Sequence, residues 1–108
     1  MPLPNLKKLI GAFAAFAVGG PAGAEGVVVL ELLRWNTIID WFKSRKELKE
    51  EDKKIIGFTV REQLGTGNHS VIQGLFNKEN GEVVDGVKYE AKDICDELKD
   101  KEELIIYT

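Results

Sequence analysis

Few residues in this chain have the types and spacing that do chemistry. His69 is the lone histidine and follows Gly67-Asn68 in a predicted turn, a position where an exposed imidazole could serve acid–base work. Such work needs a nucleophile or carboxylate placed beside the ring, and no recognisable motif supplies one, since Ser70 is only its sequence neighbour. Gly65-Thr66-Gly67 could bring backbone N–H groups to a phosphate, but it lacks the Gly-Lys-Ser/Thr ending, and a strand is predicted where a helix should follow. Glu79, Asn80, Glu82 and Asp85 gather oxygen atoms around a turn without the alternating positions of a calcium loop. With one Cys and one His the chain has little material for a zinc site. No catalytic residue, cofactor or metal is expected, and the chain is read as a non-enzyme.

Charge is the next signal. The net charge is −3, and the charges of residues 1–42 cancel, so the excess lies in the back half. Its acids Asp93, Asp96, Glu97, Asp100, Glu102 and Glu103 form a run, of which Asp96, Glu97, Asp100 and Glu103 are the candidate docking patch for a basic partner. The lysine-rich stretch after Phe42 is interleaved with acids, so nucleic acid is not expected as a partner. Cys95, the single cysteine, cannot form an internal disulfide, which fits a reducing, cytoplasmic compartment.

The elements that must position these residues follow from periodicity. Asn5 can cap a helix running to about Val18, with Leu6, Leu9, Ile10, Phe13, Phe16 and Ala17 at helical spacing. Gly19, Gly20, Pro21 and Gly23 break it. A second helix is predicted from Glu25 to Glu50, with Val28, Leu32, Trp35, Ile39 and Phe42 as a coiled-coil-like stripe. From Ile55 the period becomes two: a strand through Leu64, a turn at Gly65–Asn68, and a strand over His69–Lys78. A two-residue type I′ turn is predicted at Asn80-Gly81, leading to a strand carrying Val83, Val84, Val87 and Tyr89, with Asp85-Gly86 marking a bulge or a second tight turn. Asp93 is expected to cap a short helix to Lys101 bearing Ala91, Ile94, Cys95 and Leu98, and Leu104–Tyr107 reads as a closing strand.

The apolar front half admits three readings. Lys7-Lys8, the run Leu9–Val18 and Ala22-Gly23-Ala24 match the basic, apolar and small-residue parts of a signal peptide. A membrane hairpin would need longer spans, and Glu31 and Arg34 interrupt the second apolar run; a shallow lipid contact with Trp35 and Trp41 as anchors remains open. The favoured reading is protein core, with surplus apolar surface covered by a second copy.

The expectation is therefore an α+β chain: an N-terminal helical hairpin (residues 1–52), then a small β-rich module (53–108) with a four-stranded, mostly antiparallel sheet and one short helix. The function expected is a non-enzymatic, self-associating interaction or scaffold protein that displays its β module to a protein partner. Leu9, Phe13, Phe16, Val28, Leu32, Trp35, Ile39 and Phe42 are the candidate oligomer or membrane interface. The alternatives are a peripheral membrane protein anchored by its N-terminal helices, and a small ligand sensor or enzyme using the 65–69 turn.

Overall fold

Asn5 opens the first helix as expected: its Oδ1 accepts the N–H of Lys8 at 2.9 Å, satisfying one of the free donors of the first turn. In the computed structural model, which describes residues 4–19, 27–45 and 54–107, this helix is α1 (Leu6–Gly19). It is followed by β1 (Val27–Leu33), α2 (Trp35–Lys43), β2 (Ile55–Gln63), β3 (His69–Asn77), β4 (Glu82–Ile94), the single turn α3 (Asp96–Lys99) and β5 (Leu104–Tyr107). The five strands form one mixed sheet in the order β1-β4-β3-β2-β5.

The α+β class holds, but the helical hairpin does not. Where a second long helix was expected from Glu25, Val27–Leu33 is a strand paired in parallel with Lys88–Ile94 of β4. Three consecutive valines are stiff at χ1 and suit a pleated ladder better than a helix. The stripe Val28, Leu32, Trp35, Ile39 and Phe42 is thus split between a strand and a helix, and the sheet has five strands, one of them parallel to its neighbour, instead of four mostly antiparallel ones.

α1 covers one face of the sheet, and α2 with the single turn α3 covers the other. On one face α1 buries Leu9 and Phe13 against Ile56, Phe58, Val60, Phe76 and Val83. On the other, Ile38 of α2 joins Leu33, Val71, Tyr89, Ala91, Ile94 and Leu98, with Trp35 and Phe42 packed at the margin. Ile55–Val60 of β2 is accordingly buried at every position, the pattern of a strand covered on both faces. Two glycines make room for the helices. A Cβ on Gly86 would stand 2.8 Å from the Phe13 ring, and one on Gly57 would stand 2.8 Å from the Phe42 ring.

α2 is fastened at three points. At its start Arg34 makes no side-chain cap, and the Trp35 N–H donates instead to Cys95 Sγ at 3.1 Å. At its middle Gln73 Nε2 donates to the Ile38 carbonyl at 3.1 Å. At its end Arg45 stacks 4.0 Å over the Trp41 ring and pairs with Asp85 of β4 at 2.5 Å.

Two local expectations need correction. Asn77 pairs with Glu82, so the β3–β4 connection is the four residues Lys78–Gly81, and only Gly81 has a positive φ, of 74°. Asn77 drives this: its Oδ1 accepts the N–H of Glu79 at 2.9 Å while its carbonyl accepts that of Gly81, an arrangement that replaces the type I′ turn. Asp93 caps no helix. It lies in β4, its Oδ1 accepting the Ile94 N–H at 2.9 Å, and Cys95 is the residue before α3. Ala91 and Ile94 are therefore strand residues. Of the two readings of Asp85-Gly86 the structure has the bulge and not a second turn: a register shift between Leu75 and Phe76 leaves Val84 out of the ladder.

Candidate functional site

The residues singled out for chemistry are dispersed or engaged elsewhere. His69 begins β3 opposite Gln63 and Ala91, outside the turn proper, and Ser70, the next residue of the strand, projects to the opposite face. The acid that senses His69 is Asp93, whose carboxyl is held below its ordinary value first by the Ile94 N–H, then by Lys99, with His69 adding a smaller attraction. In the glycine turn, the Gly67 N–H donates to the Leu64 carbonyl at 3.0 Å and the Leu64 N–H to Asn68 at 2.7 Å, so these donors close the turn instead of facing an anion. Around the β3–β4 tip, Glu79 pairs with Lys54, Asn80 Oδ1 accepts the Glu82 N–H, and Asp85 binds Arg45 and the Gly86 N–H. Among the described residues no group of three or more potential ligands is gathered for a metal ion.

What remains are the two edges of the sheet. β1 is one edge, and its burial is the reverse of a core strand: Val29 is 76% exposed, Val27, Val28 and Leu32 are also exposed, and only Leu33 is buried. The strand carries one charge, Glu31, which faces Lys92 of its own neighbour strand at 3.3 Å. Natural sheets blunt such an edge with lysine, proline or a bulge, and Val27–Leu33 has none of these.

β5 is the other edge. Beside it lies an open groove of about 470 Å³, lined by Leu104–Tyr107, Trp35, Asp100, Lys101 and Glu102. Tyr107 stacks on Phe42 with ring centroids 4.6 Å apart, and its hydroxyl lies 3.4 Å from Thr59 Oγ1. Burial raises the Tyr107 phenol above its ordinary value, with the Thr59 bond opposing. Lys101 Nζ sits 4.9 Å over the Trp35 ring, leaving Asp100, Glu102 and Glu103 exposed at the groove's end.

The expected interface residues fall into two groups. Leu9 and Phe13 are spent in the core, with Phe16, Trp35 and Phe42 packed on it and Ile39 half-buried, whereas Val28 and Leu32 are exposed on β1. Asp96, Glu97, Asp100 and Glu103 are all exposed, on or just after α3. Sequence reasoning missed Val27 and Val29 as interface candidates, and Leu104–Tyr107 as a groove wall. A run of β-branched residues was the available signal for the first. Among the described residues no helix is long and apolar enough to cross a membrane. No protein-family model matches the chain, and comparison with curated proteins and with solved structures finds no significant match.

Proposed function

We propose that this chain is a non-enzymatic, self-associating interaction protein whose assembly surface is the β1 edge. The observation that supports the reading is the exposed apolar strand Val27–Leu33 with no strand on its outer side among the described residues. A second copy suits it on length and charge. β1 has seven residues and the opposite edge β5 has four, so β1 matches another β1 residue for residue but only part of a β5. A two-fold axis normal to the sheet runs the two β1 strands antiparallel and joins both sheets into one, an isologous contact that closes. Glu31 already has Lys92, so the edge presents no net charge to be matched by a different partner.

Light scattering behind size exclusion tests this on the full chain. A dimer is expected at micromolar concentration, and Val29→Lys, a change at an exposed position with little cost to the fold, is expected to give monomers. A wild-type chain that stays monomeric, or a Val29→Lys variant that still dimerises, removes the proposal.

A further inference from the structure

The groove beside β5 touches Leu104, Ile105, Ile106 and Tyr107, four consecutive residues of one strand. Successive side chains of a strand leave on opposite faces. A concavity that meets all four therefore follows the edge of the strand, where the backbone lies, instead of one face of the sheet.

The phase of the hydrogen bonds fixes which backbone groups look into it. The Arg61 N–H donates to the Glu103 carbonyl at 2.8 Å, which makes Arg61 and Glu103 a bonded pair. Antiparallel pairs alternate, so Ile105 and Tyr107 bond inward to Thr59 and Gly57, while Leu104 and Ile106, opposite Val60 and Phe58, turn their N–H and C=O groups outward. Among the described residues no strand pairs with that outer side. These donors and acceptors have the spacing of a ladder whose next strand is missing.

The end of the groove adds a preference of charge. Asp100, Glu102 and Glu103 are exposed and make no ion pair with another described residue, while the two cations nearby are engaged, Lys101 Nζ over the Trp35 ring and Arg61 Nη2 donating to the Lys101 carbonyl at 2.7 Å, which leaves the three acids in excess. We infer that β5 accepts an extended segment of a partner protein as a further strand, bonded to the backbone of Leu104 and Ile106. The segment places an apolar side chain against Ile105 and Tyr107, beside the Trp35 ring that Lys101 covers, and basic side chains beside Asp100 and Glu102. Main-chain bonds supply affinity in such strand addition and the side-chain pockets supply selectivity.

The inference rests on the interaction reading above but uses the opposite edge of the sheet, so the two can fail separately. The probe is a short fluorescent peptide alternating valine and threonine with lysine pairs at both ends, titrated into the full chain and into Val29→Lys, with amide shifts followed by NMR. Saturable binding is expected, equal in both proteins, with the largest shifts at the Leu104 and Ile106 amides and the Trp35 indole. Reversing Asp100 and Glu102 to lysine, both exposed, is expected to weaken binding about tenfold, and a peptide with glutamates in place of lysines is expected not to bind. No saturable binding, shifts that map elsewhere, or affinity indifferent to either charge reversal overturns the inference. Loss of peptide binding only in Val29→Lys would assign the peptide to β1 and likewise overturn it.

Discussion

The seat of Phe13 on Gly86 can be tested from both sides at once. Phe13 is buried among Phe58, Phe76 and Val83, and replacing it with alanine removes a ring from that cluster, a loss of about 3–5 kcal/mol. Against a domain stability of about 5–15 kcal/mol this is a large fraction. Gly86→Ala works from the sheet side: its Cβ would stand 2.8 Å and 3.1 Å from two ring carbons of Phe13, inside the roughly 3.5–4 Å of ordinary carbon contact. Overpacking of this kind costs about 1–3 kcal/mol, and the reduced freedom of the unfolded chain returns about 0.4–1 kcal/mol, so a net loss of about 1–2 kcal/mol is expected. In a Phe13→Ala background the ring is gone. Of the three atoms nearest the new Cβ, the Gln73 carbonyl at 3.2 Å is then left, a contact relieved by a shift of a few tenths of an ångström, and Gly86→Ala is expected to be close to neutral. The coupling of about 1–2 kcal/mol exceeds the roughly 0.3–0.5 kcal/mol within which independent sites add. Urea unfolding of the four proteins measures it. Additive effects, or a Phe13→Ala variant as stable as the parent, would mean that α1 does not sit on the sheet through this contact.

Two further outcomes follow from buried polar groups. Gln73 is fully buried with its Oε1 unpartnered, so Gln73→Met, which removes an unsatisfied carbonyl at the loss of one bond to Ile38, is expected to raise stability by about 1 kcal/mol in urea titrations; a drop of that size would show that the amide is satisfied. Tyr89 and Tyr107 have phenols raised above 10.0, both chiefly by burial. A folded value above the unfolded one means their contribution is intact below pH 10.0 and is lost as pH rises beyond it. The unfolding midpoint is therefore expected to fall at alkaline pH in step with phenolate absorbance, and phenols that ionise at their ordinary value in the intact fold would contradict the burial argument.

Local rules made part of this architecture readable and tertiary pairing made the rest opaque. The Asn5 cap, the strands from Ile55 and His69, and the closing Leu104–Tyr107 are set by neighbours in sequence, and each was visible there. Val27–Leu33 was not. An apolar run of this length has no period that separates strand from buried helix, and its pairing with Lys88–Ile94 is decided by residues far along the chain. At the β3–β4 turn, Asn80-Gly81 carried the stronger local signal, but the Asn77 side chain competed for the same backbone donors and widened the loop. Cys95 read as one residue of a short helix, and nothing near it in sequence told that its sulfur would stand in for the cap that Arg34 lacks. The acidic run was legible as exposed charge; the groove beside it was not, because Trp35 reaches that place from another element.

The parallel pairing of β1 with β4 also orders events during synthesis. β2, β3 and β4 are joined by short turns and can form a meander as soon as they are made, whereas β1 is translated first and pairs with the last long strand. Contacts between distant residues form late because loop closure must precede them. The Val27-Val28-Val29-Leu30 segment therefore leaves the ribosome without its partner and waits, apolar and uncovered, until Lys88–Ile94 has emerged. Its docking on β4 pairs one side of the strand, and its detachment would expose an apolar segment of the kind that makes partly folded chains prone to aggregate.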